Sequence, residues 1–151
     1  MKKNAHLGSW KLVSTQVVLN GSKTYHFPKE TVGSFICTEN NFSVQITAPL
    51  KISDPSGSLL GSVLGGVYNF VSDTVRFPFY GYGGYFGRYR LEGDNKIVVS
   101  VQGSSLNSMV GQEETRYYEF LDDHHKRIRF SPEKLSLFGR TVEVMVEFQK
   151  H

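Results

Sequence analysis

Cysteine is almost missing from this chain of 151 residues: Cys37 is the only one. No disulfide can form within the chain, and a reducing, cytoplasmic setting is expected. Long apolar runs are missing too. The nearest to one, Leu59 to Val71, is broken by Gly61, Ser62, Gly65, Gly66 and Asn69 and is too short to span a bilayer. No apolar stretch follows Lys2 and Lys3, so no signal peptide is expected, and no membrane partner either. Charge is spread thin: 17 Lys and Arg against 14 Asp and Glu leave a net charge of +3. The loose basic group Lys126, Arg127, Arg129, Lys134 and Arg140 is interleaved with Asp122, Asp123 and Glu133, unlike the dense stripe of a dedicated nucleic-acid binder.

Catalytic and cofactor motifs are equally sparse. There is no G-x-S-x-G elbow for a serine nucleophile. Gly21-Ser22-Lys23-Thr24 lacks the glycine loop of a phosphate cradle, and Gly81-Tyr82-Gly83-Gly84 does not fit the dinucleotide fingerprint. His6, His26, His124, His125 and His151 have no metal-ligand spacing, and His124-His125 reads as a solvated turn. No metal and no cofactor is expected. Cys37, on a strand, reads as a small buried apolar residue.

Aromatic residues and glycine are what the chain does have. Seven of the thirteen residues from 77 to 89 are aromatic: Phe77, Phe79, Tyr80, Tyr82, Tyr85, Phe86 and Tyr89, interleaved with Gly81, Gly83, Gly84 and Gly87. Aromatic side chains suit a core or the wall of a ligand cavity, and glycine in a strand marks a bend, a bulge or a close backbone approach. Hydrophobic content of 39% with 21% charged residues is that of a soluble globular chain, expected to form one domain over residues 1–151.

Most of the chain reads in period two. Trp10 and Leu12 share a face in a first strand from about Gly8 to Leu19. Ser34, Ile36 and Thr38 alternate with Phe35 and Cys37, and Ile128 and Phe130 with Arg127 and Arg129. Val142, Val144, Val146 and Phe148 face opposite to Thr141, Glu143, Met145 and Glu147. Asn20-Gly21, Glu39-Asn40-Asn41, Glu92-Gly93-Asp94-Asn95 and Asp122 to His125 read as tight turns. The fold class expected is all-β: an antiparallel up-and-down barrel of about eight or nine strands, its edges removed by closure of the first strand on the last. One segment departs from the pattern. Leu60, Val63, Leu64, Val67, Tyr68 and Val71 follow the helical period, so residues from about Gly57 to Ser72 are expected to form a glycine-softened helix or cap near one mouth. The role of the wider insertion, residues 57–84, is left open.

Four segments in order resemble the bacterial and fungal lipocalin-like domain family. Gly8-Ser9-Trp10-Lys11-Leu12-Val13-Ser14 is similar to its G-T-W-x-L-V-S, and Gly33 to Thr38 with Phe42 to Ile46 is similar to its second hairpin. Tyr85-Phe86-Gly87-Arg88-Tyr89 is similar to its Y-F/S-G-R-Y, and Val101 to Ser104, Gly111 and Arg116 fall where it has V-E-G-S, G and R. The family often carries two histidines before V-E-G-S and P-N-W before the glycine. This chain has Val99 and Ser100, and Asn107-Ser108-Met109, at those places, so no role is carried over there. The resemblance implies a small calycin-like barrel, with Trp10 plugging its closed end.

If Tyr118 and Phe120 face inward, alternation carries Glu114 and Arg116 to the same side. Two charges inside a barrel are costly unless paired with each other or with a ligand. Glu114 and Arg116 are therefore the candidate catalytic residues, Arg116 to orient an anionic or carbonyl-bearing ligand and Glu114 to act as a base. Tyr85, Tyr89, Tyr118, Arg116 and Trp10 are the candidate ligand-binding residues. Leu91 is expected inside with Tyr85 and Tyr89, and Phe86, Arg88 and Arg90 outside. A structural ion pair and a plain aromatic core are the alternatives.

The leading reading is binding of a small hydrophobic molecule inside the barrel, by a monomer or homodimer. The alternative is a cofactor-free isomerase or cyclase that shapes a polyketide, terpenoid or polyene substrate, since orientation and exclusion of water need few catalytic groups. A third reading, single-stranded nucleic-acid binding through Tyr82 to Arg90, is disfavoured by the modest charge, and no nucleic-acid partner is expected.

Overall fold

Alternation over residues 8 to 19 forms one long strand, β1 (Gly8–Leu19), with the bounds the sequence indicated. The structure is a computed structural model that describes residues 4–27, 29–48, 81–105, 107–131, 135–137 and 140–151. The predicted helix or cap at Gly57 to Ser72, and Phe77, Phe79 and Tyr80, lie outside the described residues. After β1 come β2 (Lys23–His26), β3 (Val32–Cys37), β4 (Asn41–Ala48), β5 (Gly81–Glu92) and β6 (Lys96–Ser104). A 3-10 turn at Asn107–Met109 then leads to β7 (Glu113–Phe120), β8 (Arg127–Ser131), β9 (Leu135–Leu137) and β10 (Arg140–Lys150).

Every pairing is antiparallel, and β1 pairs with β10 from Trp10↔Lys150 to Leu19↔Val142, closing the sheet. Eight strands make the ring, β1-β3-β4-β5-β6-β7-β8-β10. The two short strands extend it at one end. On its other edge β1 pairs with β3 at Gly8 to Lys11 and with β2 at Gln16 to Leu19. In the same way β10 pairs with β8 near its end and with β9 near its start. The β1–β2 turn has Asn20 and Gly21 at φ 51° and 70°, the left-handed values expected of that dipeptide, and Asn20 Oδ1 accepts a hydrogen bond from Thr141 N at 3.0 Å.

Inward-facing residues from the ring pack into one cluster around Phe35. Its ring stacks on Trp10 (5.3 Å between centroids) and Phe42 (5.6 Å) and meets Phe130 and Phe148 edge-on at 5.1 and 5.0 Å. These offset and edge-to-face geometries are the favourable ones for aromatic pairs. Cys37 is buried beside them, as expected. Two bulges tune the ring: Val13 is the extra residue between Leu12 and Ser14 and is exposed, and Gln102 is skipped opposite Phe86–Gly87.

The outer wall departs from simple in/out alternation in two places. Glu147 faces outward yet is buried, because Arg127 and Arg129 close over it with contacts of 3.1 and 2.7 Å, and Arg129 reaches on to Glu119 at 2.9 Å. Val98 is buried although it alternates with the inward-facing Ile97 and Val99. The Arg90–Glu113 pair, drawn from β5 and β7, bridges β6 at this level. The facing of Val142 and Val144 lies outside the described side chains.

Candidate functional site

Four residues on β7 point into the barrel in the order Glu114, Arg116, Tyr118 and Phe120, counted away from the end where residues 49–80 join β4 to β5. Tyr118 and Phe120 join the aromatic cluster. Arg116 and Glu114 stand opposite the core residues Ile97 and Val99 in register. Arg116 Nη1 donates to Glu114 Oε2 at 3.0 Å and to the Thr115 carbonyl at 2.9 Å. The two side chains are only 12% and 18% exposed. On the same wall, with β6 between their strands, the Arg116 guanidinium lies 5.8 Å from the centre of the buried Tyr85 ring, a cation–π distance.

Electrostatics at this point favours a charged guanidinium and a neutral phenol. Burial opposes the charge of Arg116, but Tyr85 and Glu114 beside it outweigh that and hold its pKa above the ordinary value. Burial pushes the Tyr85 phenol up, with Arg116 offsetting only part of the rise, so Tyr85 keeps its proton and can donate a hydrogen bond. Around them Ser104 Oγ donates to the Gly84 carbonyl at 3.3 Å and contacts Met109 Sδ at 3.6 Å. Thr15 also faces inward, since it pairs with Val146 and Val146 pairs with Phe130. Its Oγ1 is buried without a hydrogen-bond partner.

The other expected ligand-binding residues sit lower. Trp10 is fully buried, with Lys150 Nζ 5.2 Å from its ring centre, and it fills the floor of the barrel. Tyr89 is below Tyr85 and donates to the Thr38 carbonyl at 2.8 Å, away from the Arg116 pair. Tyr118 packs between Phe120 and Phe130. Phe86, Arg88 and Arg90 are exposed as expected. Leu91 is a correction: it lies opposite Ile97 but is 39% exposed, because β5 ends one residue later and the rim leaves it uncovered. The turn histidines also need amending. His124 is exposed, but His125 is half-buried with its ring edge-on to Phe120 at 4.6 Å.

Sequence reasoning missed His6, which nothing in its neighbourhood signals. A turn closed by Leu7 N donating to the Asn4 carbonyl at 3.1 Å folds it under the barrel, where it is buried. Trp10 Nε1 donates to the His6 carbonyl at 3.0 Å, and His6 Nε2 lies 2.9 Å from the Tyr89 oxygen. Since the Tyr89 proton goes to Thr38, Nε2–H of His6 is the donor to Tyr89, and charging the ring means protonating Nδ1. Burial, then the charge of Lys150, lowers its pKa from 6.5. The unfolded chain therefore binds this proton more readily. The stability that neutral His6 contributes is complete above 6.5 and is lost as pH falls through the lowered folded value. Denaturant midpoints of wild type and His6→Gln, compared across this window, are expected to converge on acidification; a constant difference would contradict a buried neutral imidazole.

Between β4 and β5 there is a cleft of about 180 Å³ whose lining includes the outward-facing Ser43, Gln45 and Phe86 and also the core residues Val44 and Tyr85. Phe86, at 53% exposure, and its register partner Ser43 place its mouth on the outer wall, while Glu114 and Arg116 are not part of its lining. Among the described residues no group of three or more His, Cys, Asp or Glu side chains is placed to hold a metal ion.

A comparison with curated proteins gives no match. Among solved structures the chain is similar to a redesigned β-barrel at 9% identity, covering 98% of this chain and 93% of that one, with a TM-score of 0.41. The model of the lipocalin-like domain matches residues 7–141, the span from the strand bearing Trp10 to the start of β10. With that match across a closed eight-stranded antiparallel barrel, the chain belongs to the lipocalin-like domain family.

Proposed function

We propose that the barrel binds a small hydrophobic molecule in its lumen, with Arg116 and Tyr85 holding the polar end of that molecule. The observation that carries this reading is the Arg116–Glu114 pair, set inside an otherwise largely apolar interior against the Tyr85 ring. A buried ion pair is often no more stabilising than apolar side chains of similar volume, so stability alone is a weak reason for its presence. Recognition supplies a better one, because donors fixed in an apolar pocket orient a ligand and discriminate by its polar groups. Below the pair the aromatic cluster occupies the lumen, so the ligand sits on the side of Glu114 and Thr15.

The test separates a structural pair from a functional one. In the double variant Glu114→Gln/Arg116→Met both charges go together, so neither is left buried alone. Its melting temperature is expected to equal or exceed that of wild type. Its capture of an apolar molecule from a lipid extract of the expression host, read by native mass spectrometry, is expected to fall by about tenfold or more relative to wild type, the equivalent of one lost charge-assisted contact. A stable double variant that captures the molecule as well as wild type would overturn the proposal. Turnover of the captured molecule by wild type, abolished in Glu114→Gln, would instead make the barrel an isomerase or cyclase.

A further inference from the structure

The lumen pair also carries information about which head group it accepts. Arg116 Nη1 is already engaged twice, by Glu114 Oε2 at 3.0 Å and by the Thr115 carbonyl at 2.9 Å. The guanidinium and the carboxylate cancel, so among the described residues this pair adds no net charge to the inner wall. A ligand carboxylate approaching Arg116 meets Glu114 at the same time, in a setting where both side chains are largely withdrawn from water. Like charges at such range in a poorly solvated site repel, and an anion losing its own hydration is offered, among the described residues at this level, only a guanidinium already paired with Glu114. A ketone, ester or hydroxyl loses far less hydration on entry. It can accept from the guanidinium or from the Tyr85 phenol without displacing Glu114.

A second observation points the same way. Thr15 Oγ1 is buried on the inner face, two strands beyond β8, with no hydrogen-bond partner. A buried hydroxyl without a partner costs stability, and the cost is recovered when a ligand group pairs with it. A hydroxyl both donates and accepts, so it selects for hydrogen-bonding capacity and not for charge.

Resting on the binding reading above, we infer that the lumen takes an uncharged, oxygen-bearing lipophile such as a ketone, ester or alcohol. Glu114 is the specificity-determining residue that turns away free carboxylates. The carboxylate does this by neutralising Arg116 and by standing beside any acid that enters.

The experiment compares lauric acid, methyl laurate and lauryl alcohol, which share one chain and differ in the head, by calorimetric titration at a pH where the free acid is ionised. Wild type is expected to bind the ester and the alcohol about tenfold or more tighter than laurate, a difference of roughly 1.4 kcal/mol or more. Glu114→Gln, nearly isosteric, removes the repulsion and leaves Arg116 unmatched, so laurate is expected to gain at least as much and to overtake the ester. Thr15→Val keeps shape and deletes the orphan hydroxyl. It is expected to melt no lower than wild type and to bind the alcohol more weakly. Laurate binding wild type as tightly as the ester would overturn this inference while leaving hydrophobic binding intact. Failure of folded wild type to bind any of the three would overturn both.

Discussion

Trp10→Ala is expected to lower the unfolding free energy by about 3–5 kcal/mol, the range for deleting a large aromatic from a packed interior. Trp10 is fully buried, stacks on Phe35 and lies under Lys150, so its removal takes a wall from the ring at the centre of the cluster. Collapse of the gap is restricted, because Phe35 is also held by Phe42, Phe130 and Phe148. The loss extends beyond packing: the indole N–H to the His6 carbonyl is one of the contacts that hold the turn beneath the barrel, beside His6 to Tyr89 and Lys150 to the Ala5 carbonyl. Trp10→Phe keeps a stacked ring and drops that hydrogen bond, so its cost is expected to be well under half. Urea titrations followed by far-ultraviolet circular dichroism measure both, since fluorescence is lost with the indole. Equal costs for the two variants would place the stability in the hydrogen bond and not in the stack.

Gly87→Ala is expected to be the most damaging single methyl that can be added to the described strands. A Cβ built at Gly87 falls on the Ser100 carbonyl oxygen, with Gln102 N at 3.2 Å. Both are backbone atoms of β6, so no side-chain rotation relieves the contact and the bulge at Phe86–Gly87 must open. Overpacking a well-filled site costs about 1–3 kcal/mol, and a rigid backbone obstacle places this change at or above the upper end. Gly93→Ala is the comparison. It has nothing within 4 Å but sits at φ +64°, so its cost is the intrinsic strain of that conformation, about 1–2 kcal/mol. Thermal melts of the two variants are expected to rank Gly87→Ala clearly lower.

Alternation was enough to find the strands, because a period of two puts every inward residue on one face wherever only that face is buried. It gave both ends of β1, the pairing of first and last strands, and the shared face of Glu114, Arg116, Tyr118 and Phe120. Facing did not translate into burial where long side chains or strand ends intervene. Leu91 faces inward beyond the last packed layer and is exposed, while Glu147 faces outward and is covered by two arginines that come from β8. Neither outcome can be read from neighbours in sequence, since both depend on register across strands. The same holds for His6, whose partners Tyr89 and Lys150 are brought to it only by closure of the ring. The short strands β2 and β9 were hidden for a different reason: they pair along the flanks of β1 and β10, outside the eight-stranded ring.

Closure through β1 and β10 also fixes an order of events during synthesis. Trp10 lies opposite Lys150, and Leu12 opposite Phe148, so the first strand of the ring waits for the last one to emerge from the ribosome. Until then the nascent chain can form local hairpins such as β3–β4 and β5–β6, but Phe148 is missing from the cluster around Phe35. Pairings this distant in sequence place such barrels among the slower folders, in the range of milliseconds to seconds. During that interval the edge of β1 is open and its apolar face uncovered, so the unfinished chain carries an aggregation-prone edge that the finished ring removes.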